Sequence, residues 1–472
     1  MSKVQVKYIC QDCGAQYPRW MGRCEQCGAW NSIIEEVLET AAHKKTTGRV
    51  SKVTKLSEVE NGKVERISSK INEFDQVLGG GIVSGSEGSP SAHSTSSGRA
   101  GIVPGSLVLL GGDPGIGKST LILQVASHIS DTLYVSGEES ERQIQMRANR
   151  LGIKNNISLL SETNVDNVIA TILEAKPALV VIDSIQTMYS PDLPGTPGNV
   201  GQLSLCASKL MNVAKENHIA IILIGHVTKE GAIAGPKVLE HLVDVVLYME
   251  GDRFGSFRIL RGVKNRFGST NETGIFEMTE GGMEPVANPS EMMISERAHK
   301  APGSVIFPAM EGTRPLLVEI QALTSATSFG YPKRTSSGFD LNRLNLLAAV
   351  LGKRCGLNLS TQDIYLNIAG GIKINEPAAD LAVCLSIASV FKTKNIPEDT
   401  IIFGEVGLAG EVRSVNNIDK RIAEAVKLGF KRAVIPKFHG SGPLLRSASG
   451  GQAKGLNITT VANVKEAMEK VT

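Results

Sequence analysis

The sequence has little net charge and few aromatic side chains. Lys and Arg number 50 against 47 Asp and Glu, which gives a formal net charge of +3 over 472 residues. A surface that is cationic throughout, as in proteins that coat nucleic acid, is therefore excluded, although a local basic patch is not. Aromatic residues make up only 4% of the chain, which argues against a lectin-like surface rich in Trp and Tyr.

Long apolar runs are also lacking. No stretch reaches the roughly 18 apolar residues that a membrane span requires. The first residues, MSKVQVKYICQDCG, lack the apolar segment of a secretory signal. We therefore expect a cytoplasmic protein with no membrane partner. Hydrophobic residues still make up 42% of the chain, which is ordinary for a globular protein, and the length predicts two to four domains.

Four of the seven cysteines lie close together, with the spacing Cys10-x2-Cys13-x10-Cys24-x2-Cys27. Two such pairs supply four thiolates, the tetrahedral set that suits a structural Zn²⁺. A redox dithiol would need only one pair. Trp20 and Trp30 flank the second pair and either pack a small core or stack on a nucleic-acid base. We predict a zinc finger over residues 1–34, followed by a polar linker over 35–65.

Residues 66–288 alternate short apolar runs with amphipathic stretches, a pattern typical of βαβ units and a mostly parallel sheet. A second α/β region is predicted over 289–472, so the chain is expected to have three domains. For the first region the predicted strands are 106–112, 132–136, 178–183, 219–225 and 243–249, and the predicted helices are 118–130, 140–151, 165–175 and 200–217.

One segment does not fit this pattern. Residues 84–101 hold eleven Ser or Gly among eighteen and no large apolar side chain. Such a composition cannot bury enough surface to offset chain entropy, so we expect a disordered insertion. It lies between two similar phrases, GIVSGS at 81–86 and GIVPGS at 101–106, which indicates a local duplication within a loop.

The strongest local motif lies between a predicted strand and a predicted helix. It consists of Gly112, Asp113, Pro114, Gly115, Ile116, Gly117, Lys118, Ser119 and Thr120. This matches the phosphate-binding P-loop pattern, in which glycines let backbone N–H groups surround the phosphates of ATP at a helix N-terminus. Lys118 is then expected to reach the β- and γ-phosphates, and the Ser119 hydroxyl to ligate Mg²⁺.

Polar residues follow the next predicted strands. Asp183 ends an apolar strand, where a carboxylate that binds Mg²⁺ is found in such nucleotidases, although it could instead cap a helix. Glu138 and Glu139 follow another strand, so either could orient the attacking water, or both could lie in a solvated acidic loop. His226 could sense the γ-phosphate or serve the fold alone.

A local group of cations occupies residues 253–266, and it ends in Lys264, Asn265, Arg266, Phe267 and Gly268. Two cations bracket an amide just before an aromatic residue and a glycine. Such a group could contact the phosphate of a neighbouring subunit's nucleotide or of DNA. The alternative, a solvated strand face, would suit Arg253 or Arg258.

Together, the four-cysteine finger, the GDPGIGKST loop, the KNRFG motif and the following α/β region resemble the bacterial RadA (Sms) family of RecA-related repair proteins. The resemblance implies an α/β fold class with an N-terminal zinc ribbon, a RecA-like ATPase core and a C-terminal Lon-protease-like domain. It places Glu138 at the position of the catalytic glutamate and His226 at a sensor position. It also implies that Lys264 and Arg266 act in trans and couple to DNA.

The function implied is a DNA-dependent ATPase that forms a hexameric ring on single-stranded DNA. Such a protein promotes branch migration of recombination intermediates alongside a RecA-type recombinase, with ATP, Mg²⁺ and Zn²⁺ as cofactors. An ATP-dependent Lon-like protease or chaperone is the alternative, because a P-loop followed by a Lon-like domain is also the architecture of such proteins. Lon itself uses a Ser–Lys dyad. Here Ala378 stands at the nucleophile position and the lysine position falls near residues 419–421, so no acyl-enzyme can form. A DNA-binding scaffold that does not hydrolyse ATP is a third possibility.

Overall fold

The structure is a computed structural model. The structure describes residues 5–10, 15–30, 32–38, 65–79, 100–154, 157–226, 236–251, 257–295, 297, 301–327, 330–437, 452–453 and 455–471. Residues 84–99 of the insertion predicted over 84–101 lie outside these ranges, as does most of the predicted linker. Contacts divide the chain into two compact units, Met1–Lys63 and Val64–Thr472.

The first unit contains a small antiparallel sheet in the order β2-β1-β3. Its strands are β1 (Gln5–Cys10), β2 (Gln16–Tyr17) and β3 (Ile33–Leu38). Cys10, Cys24 and Ile33 are buried at its centre. An apolar core of this size is too small to hold a fold alone, so the unit depends on its cysteine chemistry.

The second unit begins with a sheet whose described strands number nine. Its helices and strands are α1 (Asn72–Val77), β4 (Leu107–Gly112), α2 (Lys118–His128), β5 (Thr132–Ser136), α3 (Glu141–Arg150), β6 (Ser158–Ser161), α4 (Val165–Ala175), β7 (Leu179–Asp183), α5 (Val200–Asn217), β8 (Ala220–Ile224), β9 (Val245–Glu250), β10 (Phe257–Asn265), β11 (Thr273–Thr279) and β12 (Gly282–Pro285).

The strand order is β12-β11-β10-β9-β4-β8-β7-β5-β6. From β9 to β6 all neighbours are parallel, whereas β9 to β12 form an antiparallel extension. Every residue of β4, β5, β7 and β8 is buried, as expected where helices cover both faces of a sheet. Because these strands are parallel, their carboxyl ends share one edge, and ligands of such sheets bind there.

The rest of the second unit forms a mixed sheet of eight described strands in the order β15-β16-β14-β13-β17-β20-β22-β21. Its elements are α6 (Pro289–Ile294), β13 (Ser304–Glu311), β14 (Arg314–Ala326), β15 (Arg334–Ser337), α7 (Leu341–Cys355), β16 (Gln362–Ile368), α8 (Asp380–Phe391), β17 (Thr400–Ile402), β18 (Glu405–Val406), β19 (Val412–Arg413), α9 (Ile418–Lys427), β20 (Arg432–Pro436), β21 (Gln452–Ala453), β22 (Leu456–Val461) and α10 (Val464–Val471). The strands β18 and β19 form a separate ribbon.

The predicted α/β fold class is confirmed by this architecture. Among the described helices, none combines the length and the hydropathy that crossing a bilayer requires.

Candidate nucleotide and metal sites

Three cysteine sulfurs converge in the first unit. The Sγ atoms of Cys10, Cys24 and Cys27 all lie within 4.8 Å of one another, and Cys10 Sγ lies 3.7 Å from Cys27 Sγ. That separation is the edge of a tetrahedron with zinc–sulfur bonds of about 2.3 Å, so the donor set fits a structural Zn²⁺. The predicted fourth ligand, Cys13, lies outside the described residues. Tyr17 adds a hydroxyl 3.2 Å from Cys24 Sγ.

The P-loop joins β4 to α2 at the carboxyl edge of the first large sheet. Gly112, Gly115 and Gly117 have φ values of 149°, 77° and 110°, a conformation that L side chains rarely adopt. A Cβ at Gly112 would lie 2.6 Å from the Met249 carbonyl oxygen. The loop therefore requires glycine at Gly112 for space as well as for conformation, and its backbone N–H groups remain close to the helix N-terminus.

Lys118 is buried at the first residue of α2. Its ammonium donates hydrogen bonds of 2.9 Å to the carbonyls of Gly112 and Asp113. Burial lowers the pKa of Lys118 to about 8, although nearby carboxylates, Asp183 foremost, oppose the shift. At pH 7 the Lys118 side chain is therefore still charged in most molecules, and an anionic phosphate would stabilise that charge further.

His226 links the P-loop to the acidic residue after β5. Its Nδ1 lies 3.1 Å from Lys118 Nζ, and its Nε2 lies 3.6 Å from Glu138 Oε1. Because an ammonium can only donate, Nδ1 accepts from Lys118 and the ring proton is on Nε2, facing Glu138. Burial and the charge of Lys118 lower the pKa of His226. A neutral imidazole thus connects a phosphate-binding cation with a carboxylate.

The two glutamates after β5 have different surroundings. Glu138 accepts a hydrogen bond from the Ser184 hydroxyl and faces His226. Glu139 forms an ion pair with Arg147 of α3, and its backbone N–H donates to Ser136 Oγ at 3.0 Å. Only Glu138 contacts the group around Lys118, so the geometry favours Glu138 over Glu139 as the carboxylate that orients water.

Asp183, at the end of β7, is buried and accepts a hydrogen bond from the hydroxyl of Tyr134. Burial raises the pKa of Tyr134 well above its usual value, and the Asp183 charge raises it further. The Ser119 hydroxyl and the Asp183 carboxylate are hard oxygen ligands of the kind that Mg²⁺ prefers. These donors therefore fit a magnesium ion that accompanies a nucleotide.

A cavity of about 880 Å³ opens beside these residues. This volume is within the range of sites for nucleotide-sized ligands. Its walls come from the P-loop, α3, His226 and the turn between β11 and β12, namely Gly115, Gly117, Lys118, Ser119, Thr120, Arg147, Arg150, Leu151, His226, Met278, Thr279, Glu280, Gly281 and Gly282.

The KNRFG segment lies at the opposite edge of the same sheet. Lys264 pairs with Val246, which pairs with Leu109 of β4. Leu109 precedes Gly112 by three residues, so the strand rise separates Lys264 from the P-loop by about 10 Å along the sheet. These cations therefore do not reach the P-loop of their own chain.

Lys264 is held by the backbone. Its ammonium donates to the carbonyls of Glu240 at 2.7 Å, Val243 at 2.8 Å and His241 at 3.3 Å. Burial, aided by the charge of Arg266, lowers the pKa of Lys264. Arg266 differs, since half of its side chain is exposed, with Nη1 3.4 Å from Asp244 Oδ1.

Asn265, Phe267 and Gly268 shape the turn that follows. The Asn265 side chain accepts from Phe267 N–H at 2.9 Å and donates to the Leu78 carbonyl at 3.0 Å. A Cβ on Gly268 would lie 3.0 Å from the Gly79 backbone. The motif thus fixes a turn that presents Arg266.

The segment around Ala378 holds an ion pair between a buried arginine and a half-buried glutamate. Arg421, which is 2% exposed, contacts the Glu376 carboxylate and the Pro308 carbonyl, with Phe307 and Phe403 rings 5.7 Å from its guanidinium. Lys420 instead points to the Thr313 carbonyl, 3.3 Å away. Neither a hydroxyl at Ala378 nor a lysine beside it is present, so this segment has no Ser–Lys dyad.

Comparison with known proteins gives two kinds of match. Family matches cover residues 8–35 (rubredoxin metal binding domain), 98–232 (AAA domain) and 345–439 (subunit ChlI of Mg-chelatase). Over 99% of both chains, the sequence is 50% identical to the DNA repair protein RadA of Bacillus subtilis (strain 168). It is 46% identical to RadA of Halalkalibacterium halodurans, again over 99% of both chains. The chain belongs to the RadA family of DNA repair proteins.

A solved RadB recombinase is also similar, with 24% identity, coverage of 46% of this chain and 99% of that chain, and a TM-score of 0.35. The assignment to RadA rests on the curated relatives instead. The predicted RadA resemblance is confirmed, as is the predicted order of a zinc ribbon, a RecA-like ATPase core and a Lon-like C-terminal region.

In this RadA family member the structure brings together the four residues predicted to be catalytic: Lys118, Glu138, Asp183 and His226. Lys118 belongs to the predicted nucleotide loop, and His226 contacts it. Of the predicted zinc ligands, three converge. The KNRFG residues form a separate group at the far edge of the sheet.

Sequence reasoning missed three residues that support the RadA nucleotide site. Tyr134 and Ser184 hold Asp183 and Glu138, and Arg258 donates from β10 to the P-loop carbonyl of Ile116 at 3.1 Å. Tyr134 is a polar-tipped residue between the apolar Leu133 and Val135, which is a signal that could have marked it. Arg258, which the sequence suggested for a solvated strand face, is instead buried, because its contact depends on the pairing of distant strands.

Proposed function

We propose that this protein is a DNA-dependent ATPase that acts in recombinational DNA repair as a hexameric ring on single-stranded DNA. In this proposal ATP hydrolysis drives branch migration of recombination intermediates, in cooperation with a RecA-type recombinase in the cytoplasm. The observation that carries the proposal is the convergence of Lys118, His226 and Glu138 beside a nucleotide-sized cavity. Family membership supports the repair context.

Each residue of the site has a role that follows from its contacts. The P-loop N–H groups and Lys118 would hold the phosphates of ATP, while Ser119 and Asp183 would hold Mg²⁺, which neutralises developing phosphate charge. Glu138 is the group that accepts a proton from, or orients, the attacking water. His226, in contact with both Lys118 and Glu138, would transmit the state of the γ-phosphate to the segment that follows β8.

The second part of the proposal concerns the distance between KNRFG and the P-loop. Because about 10 Å of sheet separates Lys264 from the P-loop of the same chain, its cations can complete a nucleotide site only on a neighbouring subunit. Arg266 is the exposed cation of the motif and would reach the neighbour's phosphates or DNA. Lys264, Asn265 and Gly268 hold the turn in place.

A mixing experiment tests the trans arrangement. Lys118→Ala and Arg266→Ala should each abolish DNA-stimulated phosphate release, since the first removes the phosphate contact and the second the cation supplied to the neighbour. Mixing the two variants should restore part of the activity, because some interfaces then combine an intact Lys118 with an intact Arg266. Arg432→Ala is the matched control, since Arg432 is also half exposed and lies 3.6 Å from Asp399.

A branch-migration assay on a synthetic four-way junction, with and without ATP and a RecA-type partner, tests the motor function. Turnover that single-stranded DNA fails to stimulate would favour the scaffold alternative. ATP-stimulated casein cleavage would favour the protease. No contact at Ala378 supports the protease, because Arg421 and Glu376 pair with each other beside it.

A further inference from the structure

A tyrosine lies behind the predicted magnesium site. Tyr134 is fully buried in the middle of β5, and its ring belongs to the apolar cluster under α2. Its hydroxyl bonds to Oδ2 of Asp183 on the adjacent strand β7. Since an ionised carboxylate can only accept, the tyrosine is the donor. This contact leaves Oδ1 as the carboxylate oxygen available to a metal.

The tyrosine hydroxyl also has a second neighbour. Arg147 of α3 lies near the Tyr134 hydroxyl, where its charge opposes the rise in the pKa of the phenol, and it also pairs with Glu139 and lines the nucleotide cavity. The start of α3 is fixed just after Glu139 by a capping box between Ser140 and Gln143. The phenol therefore has an acceptor on β7 and a cation on α3, an arrangement that favours a proton directed at Asp183.

We propose that Tyr134 is a positioning residue for Mg²⁺, because its hydroxyl fixes the Asp183 carboxylate in the orientation that receives the metal of the bound nucleotide. This inference rests on the proposed function through the role given there to Asp183. Metal ligands are commonly oriented by such hydrogen-bonded partners, whose removal typically lowers metal affinity about 10- to 100-fold. Arg147 contributes by keeping the phenol turned toward Asp183.

The test compares ADP affinity in Mg²⁺ with ADP affinity in EDTA. The ratio of the two dissociation constants isolates the contribution of the metal. Tyr134→Phe removes only the hydroxyl, so its affinity in EDTA should equal that of the parent protein, whereas the enhancement by Mg²⁺ should fall by about ten-fold. Tyr248→Phe is the matched control, because it removes a hydroxyl bonded at 2.9 Å to Glu240 from the same sheet and should leave the enhancement unchanged.

A double-mutant cycle shows whether the tyrosine acts through Asp183. Asp183→Asn should remove most of the Mg²⁺ enhancement, and adding Tyr134→Phe should then have no further effect, because coupled residues are not additive. Additive losses would overturn the inference, as would a Tyr134→Phe variant with unchanged enhancement. Loss of ADP binding in EDTA would overturn it too, since the hydroxyl would then support the fold. If the parent protein shows no Mg²⁺ enhancement, the proposed nucleotide site itself is wrong.

Discussion

Replacing Lys264 separates a structural role of the KNRFG motif from a direct role at the nucleotide or DNA. Lys264→Met keeps the aliphatic stem but removes the ammonium, which donates two short hydrogen bonds to the carbonyls of Glu240 and Val243. Charge-assisted hydrogen bonds contribute about 1.5–3 kcal/mol when buried. Because the Lys264 side chain is only partly buried, we expect the two hydrogen bonds together to stabilise this region by about 2 kcal/mol.

A loss of that size should appear locally. At about 1.4 kcal/mol per factor of ten, the opening equilibrium of residues 236–243 should rise roughly 30-fold, and amide hydrogen exchange should speed up by the same factor. Buried Leu239 and Val243 are the positions to follow. ADP binding should change little, because the P-loop lies at the other edge of the sheet.

Arg266→Met provides the contrast, since this half-exposed side chain makes one 3.4 Å contact with Asp244. It should leave exchange at 236–243 nearly unchanged while it abolishes DNA-stimulated turnover. The reasoning is refuted if Lys264→Met keeps parental exchange rates but still loses DNA stimulation. Lys264 would then act directly on a phosphate.

Three further predictions follow from the described contacts. Burial lowers the pKa of Lys118 to about 8, so ADP affinity in EDTA should hold below pH 8 and fall by up to about ten-fold per pH unit above it, as binding comes to require uptake of a proton. Lys118→Arg should abolish this fall in ADP affinity above pH 8. An ADP affinity of the parent protein that does not change with pH would contradict the prediction. Cys24→Ser should release the zinc of the first unit, measured by a colorimetric chelator against about one equivalent per parental chain, and retained metal would count against Cys24 as a ligand. Arg421→Leu should lower the free energy of unfolding by about 2 kcal/mol in urea, because it removes the charged partner of the half-buried Glu376 carboxylate, which keeps a hydrogen bond from the Met310 N–H. The double change with Glu376→Leu should recover part of this loss, and an equally stable single variant would disprove the argument.

The nucleotide half of the fold was largely predictable. Strand 132–136 and helices 165–175 and 200–217 were predicted with the bounds that β5, α4 and α5 have. Their apolar runs and amphipathic periods are determined by neighbouring residues, so local sequence suffices. The P-loop was equally accessible, because its glycines and its strand–helix context are contiguous.

The strand β13 shows why other parts were not predictable. Pro308 lies in its middle, and a proline usually excludes a central strand because it has no N–H to donate. Here β13 pairs with β17 only at Ile306 and Ile401, so no donor is needed at Pro308 on that side. Whether β13 can contain Pro308 thus depends on the short length of β17, which lies almost a hundred residues further along the chain. The contacts of Tyr134 with Asp183 and of Lys264 with Glu240 depend on strand order in the same way.

The Arg421–Glu376 pair has an evolutionary consequence. A guanidinium remains protonated throughout the physiological range, so it cannot take a proton from a serine. Restoring a hydroxyl at Ala378 alone would therefore yield no peptidase, and replacing Arg421 first would remove the ion pair with the half-buried Glu376. A return to peptidase activity thus needs at least two changes, one of which destabilises the chain on its own. The ion pair therefore hinders the return of peptidase activity in this Lon-like domain.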